Sequence, residues 1–308
     1  HYLSKTEGYP IYRNSDFDYY LLGDIGYPVM LEEMKKAKKF IFLEYFTIEK
    51  GKLWEGMHTI LKEKVAQGLD VRVMYDDMGT IHSLPTSYAN MLESEGIKCV
   101  RYNKINPFLG AVMNHRDHRK IMVIDGTVAF SGGMNLADEY INQKMVFGHW
   151  KDNVIRVKGE AVWSYTVLFL TNWNAIRKTD DDYTVFKVDS VTQHTDGYIS
   201  PYGETPFDGE NTGQNVYMNI LNRANEYVYI CTPYLIIDTE LENALILAAK
   251  RGVDVRIITP GIPDKKIVWN ITRSFYRNLI DGGAKIYEYT PGFIHGKVFV
   301  SDDIVATV

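Results

Sequence analysis

The 308-residue chain reads as an α/β protein made of two collinear half-domains, each a mixed β-sheet between helices. Three observations predict this. The sequence repeats itself, strand-like runs alternate with amphipathic stretches in each copy, and each copy closes on a His-x-Lys pair.

The repeat can be followed segment by segment. "KKFIFLEYFTI" (38–48) resembles "NEYVYICTPYLI" (225–236), "KVAQGLDVRVMYD" (64–76) resembles "LAAKRGVDVRIITP" (247–260), and "MLESEGIKCVRYN" (91–103) resembles "NLIDGGAKIYEYT" (278–290). The offsets are 184 (70 to 254) and 177 (118 to 295), so the copies are collinear with small insertions and deletions. Each reads strand, helix, strand, helix, strand, then the His-x-Lys strand. The strands are β-branched and aromatic runs such as "FIFLEYF" and "VRVMY". The helices "LWEGMHTILKEKVAQG" and "LENALILAAKRG" stop at Gly68 and Gly252, and "SFYRNLIDGG" is a further helix. The expected boundaries are an N-terminal extension over 1–24, a first repeat over 25–178, a connection over 179–213 and a second repeat over 214–308. The turn-rich connection holds one candidate strand, "GYISPYG".

On a strand, residues two apart share a face, so His118 and Lys120 are expected side by side, as are His295 and Lys297. An ammonium repels a metal cation and offers no lone pair, which makes the pair a poor metal site. It suits a phosphate: lysine supplies charge and donors, and imidazole a nucleophile or a proton acceptor. Downstream, Gly132 and Gly133 let backbone N–H groups approach an anion, and Asn135 adds a side-chain donor. Asp125, before Gly126, reads as a residue that ties a turn. Displacement at phosphorus needs an attacking group and, opposite it, a group that protonates the leaving oxygen. Two half-domains facing each other across a pseudo-two-fold axis would bring both imidazoles to one phosphate at their interface.

Bulk properties narrow the classes. Net charge is -5 with a pI near 5.9, which disfavours a nonspecific nucleic-acid binder; no nucleic-acid partner is expected. Two cysteines, Cys99 and Cys231, read as buried reduced thiols. No run approaches the roughly 20 apolar residues that span a bilayer, and no signal peptide is visible. The chain begins at His1, so it reads as a piece of something longer.

The motif His-x-Lys-x4-Asp, with its glycine pair, resembles that of the phospholipase D superfamily: His118, Lys120, Asp125, Gly132, Gly133 and Asn135, then His295, Lys297 and Asp302. "FLEYF", "NHRDHRKIMVIDG", "GGMNLADEY", "HWKD", "CTPYLI" and "IHGKVFVSDD" resemble bacterial cardiolipin synthases. The resemblance implies two phospholipase D-like half-domains and a phosphatidyl transfer without a metal cofactor. His118 would be the nucleophile that forms a phosphohistidine on phosphatidylglycerol, and His295 the acid and base. Lys120, Lys297, Asp125 and Asp302 would complete the catalytic set. It also implies that Asp152 in "HWKD" orients the His118 imidazole, with an ordinary strand-start turn residue as the alternative, and that the substrates are anionic phospholipids at a membrane surface; Glu44, an acid on an apolar strand, reads as a support of the site. The location implied is the bacterial cell membrane, through N-terminal segments outside this chain. The family pattern continues past the second motif with a glycine turn, an asparagine and a carboxylate, whereas this chain stops at Val308. Alternatives are hydrolysis with water as acceptor, nuclease activity, or, without that tail, a non-catalytic lipid-binding module.

Two segments are candidate lipid contacts. "INPFLGAVM" (105–113) reads as a lipid path or a packed loop, and "DKKIVWNITRSFYRN" offers Lys265, Lys266, Arg273 and Arg277 to headgroups or to solvent.

Overall fold

The computed structural model describes residues 2–104, 116–189, 196–204 and 209–308. In chain order the elements are α1 (Tyr2–Lys5), β1 (Ser15–Tyr20), α2 (Gly23–Lys36), β2 (Phe40–Tyr45), α3 (Lys52–Ala66), β3 (Asp70–Asp76), α4 (Asp77–Thr80), α5 (Tyr88–Ser94), β4 (Lys98–Tyr102), β5 (Lys120–Ile124), β6 (Val128–Gly132), β7 (His149–Lys151) and β8 (Val154–Gly159). There follow α6 (Val162–Arg177), α7 (Thr212–Arg223), β9 (Tyr227–Cys231), α8 (Thr239–Lys250), β10 (Asp254–Pro260), α9 (Lys266–Ser274), α10 (Tyr276–Asp281), β11 (Lys285–Tyr289), β12 (Gly292–Ile294), β13 (Val298–Ser301) and β14 (Val305–Thr307). Two compact units result: His1–Gln143 with Val154–Gly203, and Lys144–Asn153 with Glu204–Val308.

These units differ from the boundaries read off the sequence. Strand β1, inside the expected extension, is an edge strand of the first sheet, paired antiparallel with β8. Residues 144–153, inside the expected first repeat, belong to the second unit because β7 pairs with β12. "GYISPYG" forms no strand, only an isolated bridge from Ile199 to Tyr12. The segment 105–113 lies outside the described residues.

In the first unit the strand order is β1-β8-β6-β5-β2-β3-β4. Strands β2, β3 and β4 run parallel, and β5 returns antiparallel to β2. Every residue of β2 is buried, the pattern of a central strand covered on both faces. Phe40 and Phe42 point to α6, where they join Phe169, Leu170 and Trp173. Alternation sends Ile41 and Leu43 to the opposite face, whose helices are α2 and α3. Helix α3 ends as its sequence predicts, with Gly68 at a φ of +88° that other residues rarely adopt.

The second unit orders its strands β11-β10-β9-β13-β14, the same plan as β4-β3-β2-β5-β6. The duplication reaches individual side chains. Asp70 accepts from Arg72 and Lys98, and Asp254 accepts from Arg256 and Lys285. One sheet face carries the core, with Val228, Ile230, Val255 and Ile257 against Leu221, Leu245 and Leu279 of the helices. On the other face Tyr229 and Tyr287 are exposed.

Each hairpin after the His-x-Lys segment turns on two left-handed residues. These are Asp125 and Gly126 (φ +53° and +68°) in one and Asp302 and Asp303 (+56° and +53°) in the other. The Asp125 carboxylate accepts the backbone N–H groups of Lys38, Lys39 and Phe40 at 2.7, 2.7 and 2.9 Å. Asp302 accepts those of Asn225, Glu226 and Tyr227 at 2.8, 3.0 and 2.8 Å. The motif aspartate thus clamps the turn to the entry of the neighbouring strand, β2 or β9.

Candidate active site

In the first unit, the site end of the sheet is fixed by register. Tyr45 at the end of β2 lies opposite Lys120 at the start of β5, whereas Ile41 lies opposite Ile124. Strand β5 begins at Lys120, so His118 precedes the strand instead of sharing it. What brings the two together is the lysine itself. Its Nζ lies 3.2 Å from His118 Nδ1 and donates to the His118 carbonyl at 2.5 Å. Lys120 is buried and its ammonium lies over the Phe46 ring, while His118 is exposed and packs its imidazole on the same ring, 4.8 Å between centroids. Phe46 directly follows β2, and Gly79 approaches its carbonyl so closely that a Cβ there would lie 2.0 Å from the oxygen.

The segment before His118 is held from below. Asp76, fully buried, accepts from the N–H groups of Met78, Gly79 and Asp117. Burial pushes its carboxyl up, against the pull of those donors and Arg116. Asp117, also buried, accepts from the Arg119 N–H at 3.1 Å. Glu44 is fully buried on β2, accepts from Asn172 at 2.8 Å and lies 3.8 Å from Arg119. Burial first, then the neighbouring Asp117, raise its carboxyl well above the usual range. Among the described residues, Glu44 Oε2 and Asp117 Oδ2 find no donor. A proton on Glu44, given to Asp117, satisfies both.

Gly132 ends β6, and the β5–β6 register continued to the strand ends sets it opposite Lys120, with Gly133 next. Asn135 reaches the same end of the sheet, but its groups serve the scaffold. Oδ1 accepts from the Thr47 N–H at 3.2 Å and Nδ2 donates to Tyr140 at 2.8 Å. The motif aspartates are at the far end, Asp125 beside Phe40 and Asp302 beside Tyr227. Their expected place in the catalytic set is therefore corrected to a structural one, which is also how Asp125 reads as a turn residue. The N–H of Tyr227 leads the causes that hold the Asp302 carboxyl below its usual range.

In the second unit, His295 and Lys297 lie between β12 and β13, again just off a strand. Lys297 Nζ is 2.9 Å from His295 Nε2, 3.1 Å from Nδ1, and donates to the His295 carbonyl at 2.7 Å. The imidazole is buried against Trp150 and Phe293. Asp152 meets it: Oδ2 lies 2.6 Å from His295 Nδ1. This corrects the expectation that Asp152 orients His118. The parallel pairing of β7 with β12 matches Lys151 to Ile294, and the His295 N–H donates to the Lys151 carbonyl at 2.8 Å, so the next residue on each strand meets. Burial disfavours charge on Asp152, yet His295 and Lys297 outweigh it and hold the carboxyl below its usual range. Burial lowers Lys297 to about 8, against the opposing pull of Asp152 and Asp264.

Sequence reasoning missed Phe46, Asp76, Asp117, Asn172 and Asp264. Asp117 adjoins the motif in "HRDHRK", so adjacency could have flagged it. Asn153, beside Asp152, was missed too; its buried carboxamide finds no partner among the described residues. A cleft of about 670 Å³ along β4, lined by Glu93, Cys99, Arg101 and Arg177 among others, includes neither His118 nor Lys120. Cys99 there is buried and burial pushes its thiol up; Cys231 is only half-buried, contrary to expectation.

A family described as "Cardiolipin synthase, PLD-like domain" matches residues 30–162 and 217–308. The chain belongs to this family. Within curated relatives, a Streptococcus mutans protein described as uncharacterized is 48% identical over the whole chain, which covers 67% of that protein. A cardiolipin synthase of Alkalihalophilus pseudofirmus is 34% identical, covering 100% of this chain and 61% of its own length. One of Geobacillus sp. is also 34% identical, covering 93% and 57%. The chain thus spans between 57% and 67% of these relatives. Phosphatidylserine synthase of Haemophilus influenzae shares the fold with a TM-score of 0.69 at 15% identity, over 93% of this chain and 76% of that one. Among the described residues, no helix is long and apolar enough to cross a membrane.

Proposed function

We propose that the whole protein makes cardiolipin and glycerol from two phosphatidylglycerol molecules through a phosphohistidine. The observation that carries the reading is the repeated pair: in each unit the lysine two residues on turns its Nζ back onto the histidine ring and carbonyl. The reading requires that both pairs serve one phosphate.

His118 Nε2, the ring nitrogen away from Lys120, attacks phosphorus, and the P–O bond to glycerol breaks. His295 gives its Nε2 proton to the departing glycerol oxygen, with Asp152 holding Nδ1–H and thereby the tautomer. A second phosphatidylglycerol then gives its hydroxyl proton to His295 and its oxygen attacks phosphorus; the P–N bond breaks and cardiolipin leaves. Proton transfer of this kind contributes about 10²–10⁴-fold. Lys120 and Lys297 hold the charge on the non-bridging oxygens. No cofactor takes part in this scheme.

The test is to incubate the whole protein with phosphatidylglycerol vesicles and read the lipids by mass spectrometry. Cardiolipin and glycerol are the expected products. Phosphatidic acid would replace the reading with hydrolysis, and absence of both would overturn it.

A further inference from the structure

Helix α9 carries an apolar face that the described residues leave largely exposed. Ile267 and Ile271 are four residues apart and project from the same side, 77% and 42% exposed. Ile262, in the loop before the helix, is exposed as well. The other side is anchored. Thr272 is buried and accepts the Leu235 N–H at 3.1 Å, and the Trp269 indole donates to the Pro260 carbonyl at 3.3 Å. Exposed apolar residues scattered singly need no explanation, but a fixed helix presenting two isoleucines on adjacent turns does.

Charge surrounds this face. Lys265 and Lys266 stand at the start of α9 and are exposed, while Arg273 pairs with Glu288 at 3.5 Å and Arg277 with Asp281 at 3.8 Å. Asp264 immediately precedes the two lysines, so one positive charge is left in excess at the start of α9, in a chain whose net charge is -5.

The helix also starts at the site. Strands β9 and β10 are parallel, and Val298 of the antiparallel β13 lies opposite Cys231, so Pro260, Cys231 and Lys297 share one end of the sheet. Asp264, just before α9, accepts from Tyr234 at 2.5 Å and acts electrostatically on Lys297. Isoleucines entering the acyl boundary, with lysines among the headgroups, is how an amphipathic helix lies on a bilayer.

We propose that α9 is an interfacial helix that seats the second unit on an anionic lipid surface. Ile267 and Ile271 enter the bilayer, Lys265 and Lys266 meet the phosphate layer, and Lys297 is thereby held near the level of the lipid phosphates. The proposal rests on the transferase reading for the purpose of the contact, though not for the contact itself.

Co-sedimentation of the whole protein with vesicles tests it without turnover. The vesicles are equal phosphatidylglycerol and phosphatidylcholine, or phosphatidylcholine alone. Binding to the anionic vesicles is expected to fall about tenfold or more in Ile267→Ser with Ile271→Ser, and about tenfold in Lys265→Ser with Lys266→Ser. Ile304→Ser is the control, because Ile304 is 82% exposed in the β13–β14 turn at the opposite end of the sheet. Equal binding by the isoleucine double variant, or an equal loss in Ile304→Ser, overturns the proposal. Should the double variant unfold, an environment-sensitive dye on Ile267→Cys is expected to shift its emission to the blue with anionic vesicles; unchanged emission overturns the proposal. Binding through α9 without lipid products supports α9 and counts against the transferase, whereas full binding by both α9 double variants counts against α9 alone.

Discussion

Lys297 holds a cation where burial resists one. Its ammonium is charged below about 8 and neutral above, so affinity for a phosphate oxyanion should hold to near pH 8 and fall beyond it. Titration calorimetry with orthovanadate from pH 7 to 9.5 checks this; constant affinity across that range contradicts it. Unfolded lysine keeps its proton to about pH 10.4. Between those values the unfolded chain binds more protons, so this group's contribution to stability rises with pH, and the loss of affinity is not unfolding. Glu44 gives a second test. If it carries the proton it shares with Asp117, Glu44→Gln keeps stability within about 1 kcal/mol, whereas Glu44→Ala strands Asp117 and Asn172 and costs about 3 kcal/mol. Equal urea midpoints for the two variants would contradict the shared proton. Glu44 is legible in the sequence as an acid on an apolar strand. Its partners are not, because Asn172 is 128 residues away and meets it only through the packing of α6 on β2.

At the scale of elements, the hairpin aspartate separates folding from chemistry. Asp125→Ala removes an acceptor for three backbone N–H groups and should cost about 1–3 kcal/mol, with turnover per folded molecule little changed. Urea unfolding and kinetics on the same sample test this; lost turnover at unchanged stability would return Asp125 to the catalytic set. The sequence makes the central strands and α3 and α8 plain, because buried runs and glycine stops are local signals. The exact placement of His-x-Lys is less plain, since a period of two continues past a strand end and each lysine folds back on its histidine carbonyl instead. Strand β7 has three residues and no periodicity to read, so nothing local in the sequence pairs Asp152 with His295. Removing its charge with Asp152→Asn should lower turnover about 10²-fold or more, with phosphate affinity less affected; wild-type turnover would contradict an orienting role.

For the whole molecule, duplication is the organising fact. Two sheets of matching order, two Asp–Arg–Lys clusters and two histidine–lysine pairs follow from one repeated sequence. That repetition is legible because equivalent positions must satisfy the same packing twice. In the proposed transfer it would also supply the second imidazole, because displacement at phosphorus requires an attacking group and a proton donor on opposite sides. The most direct measurement is intact-protein mass spectrometry of the whole protein, quenched during reaction with phosphatidylglycerol. A phosphatidyl adduct on His118 should form in the wild type and vanish in His118→Ala, while His295→Ala, lacking the acid for the first step and the base for the second, should form it and release it more slowly. An adduct that survives in His118→Ala, or cardiolipin formed by that variant, would contradict the account.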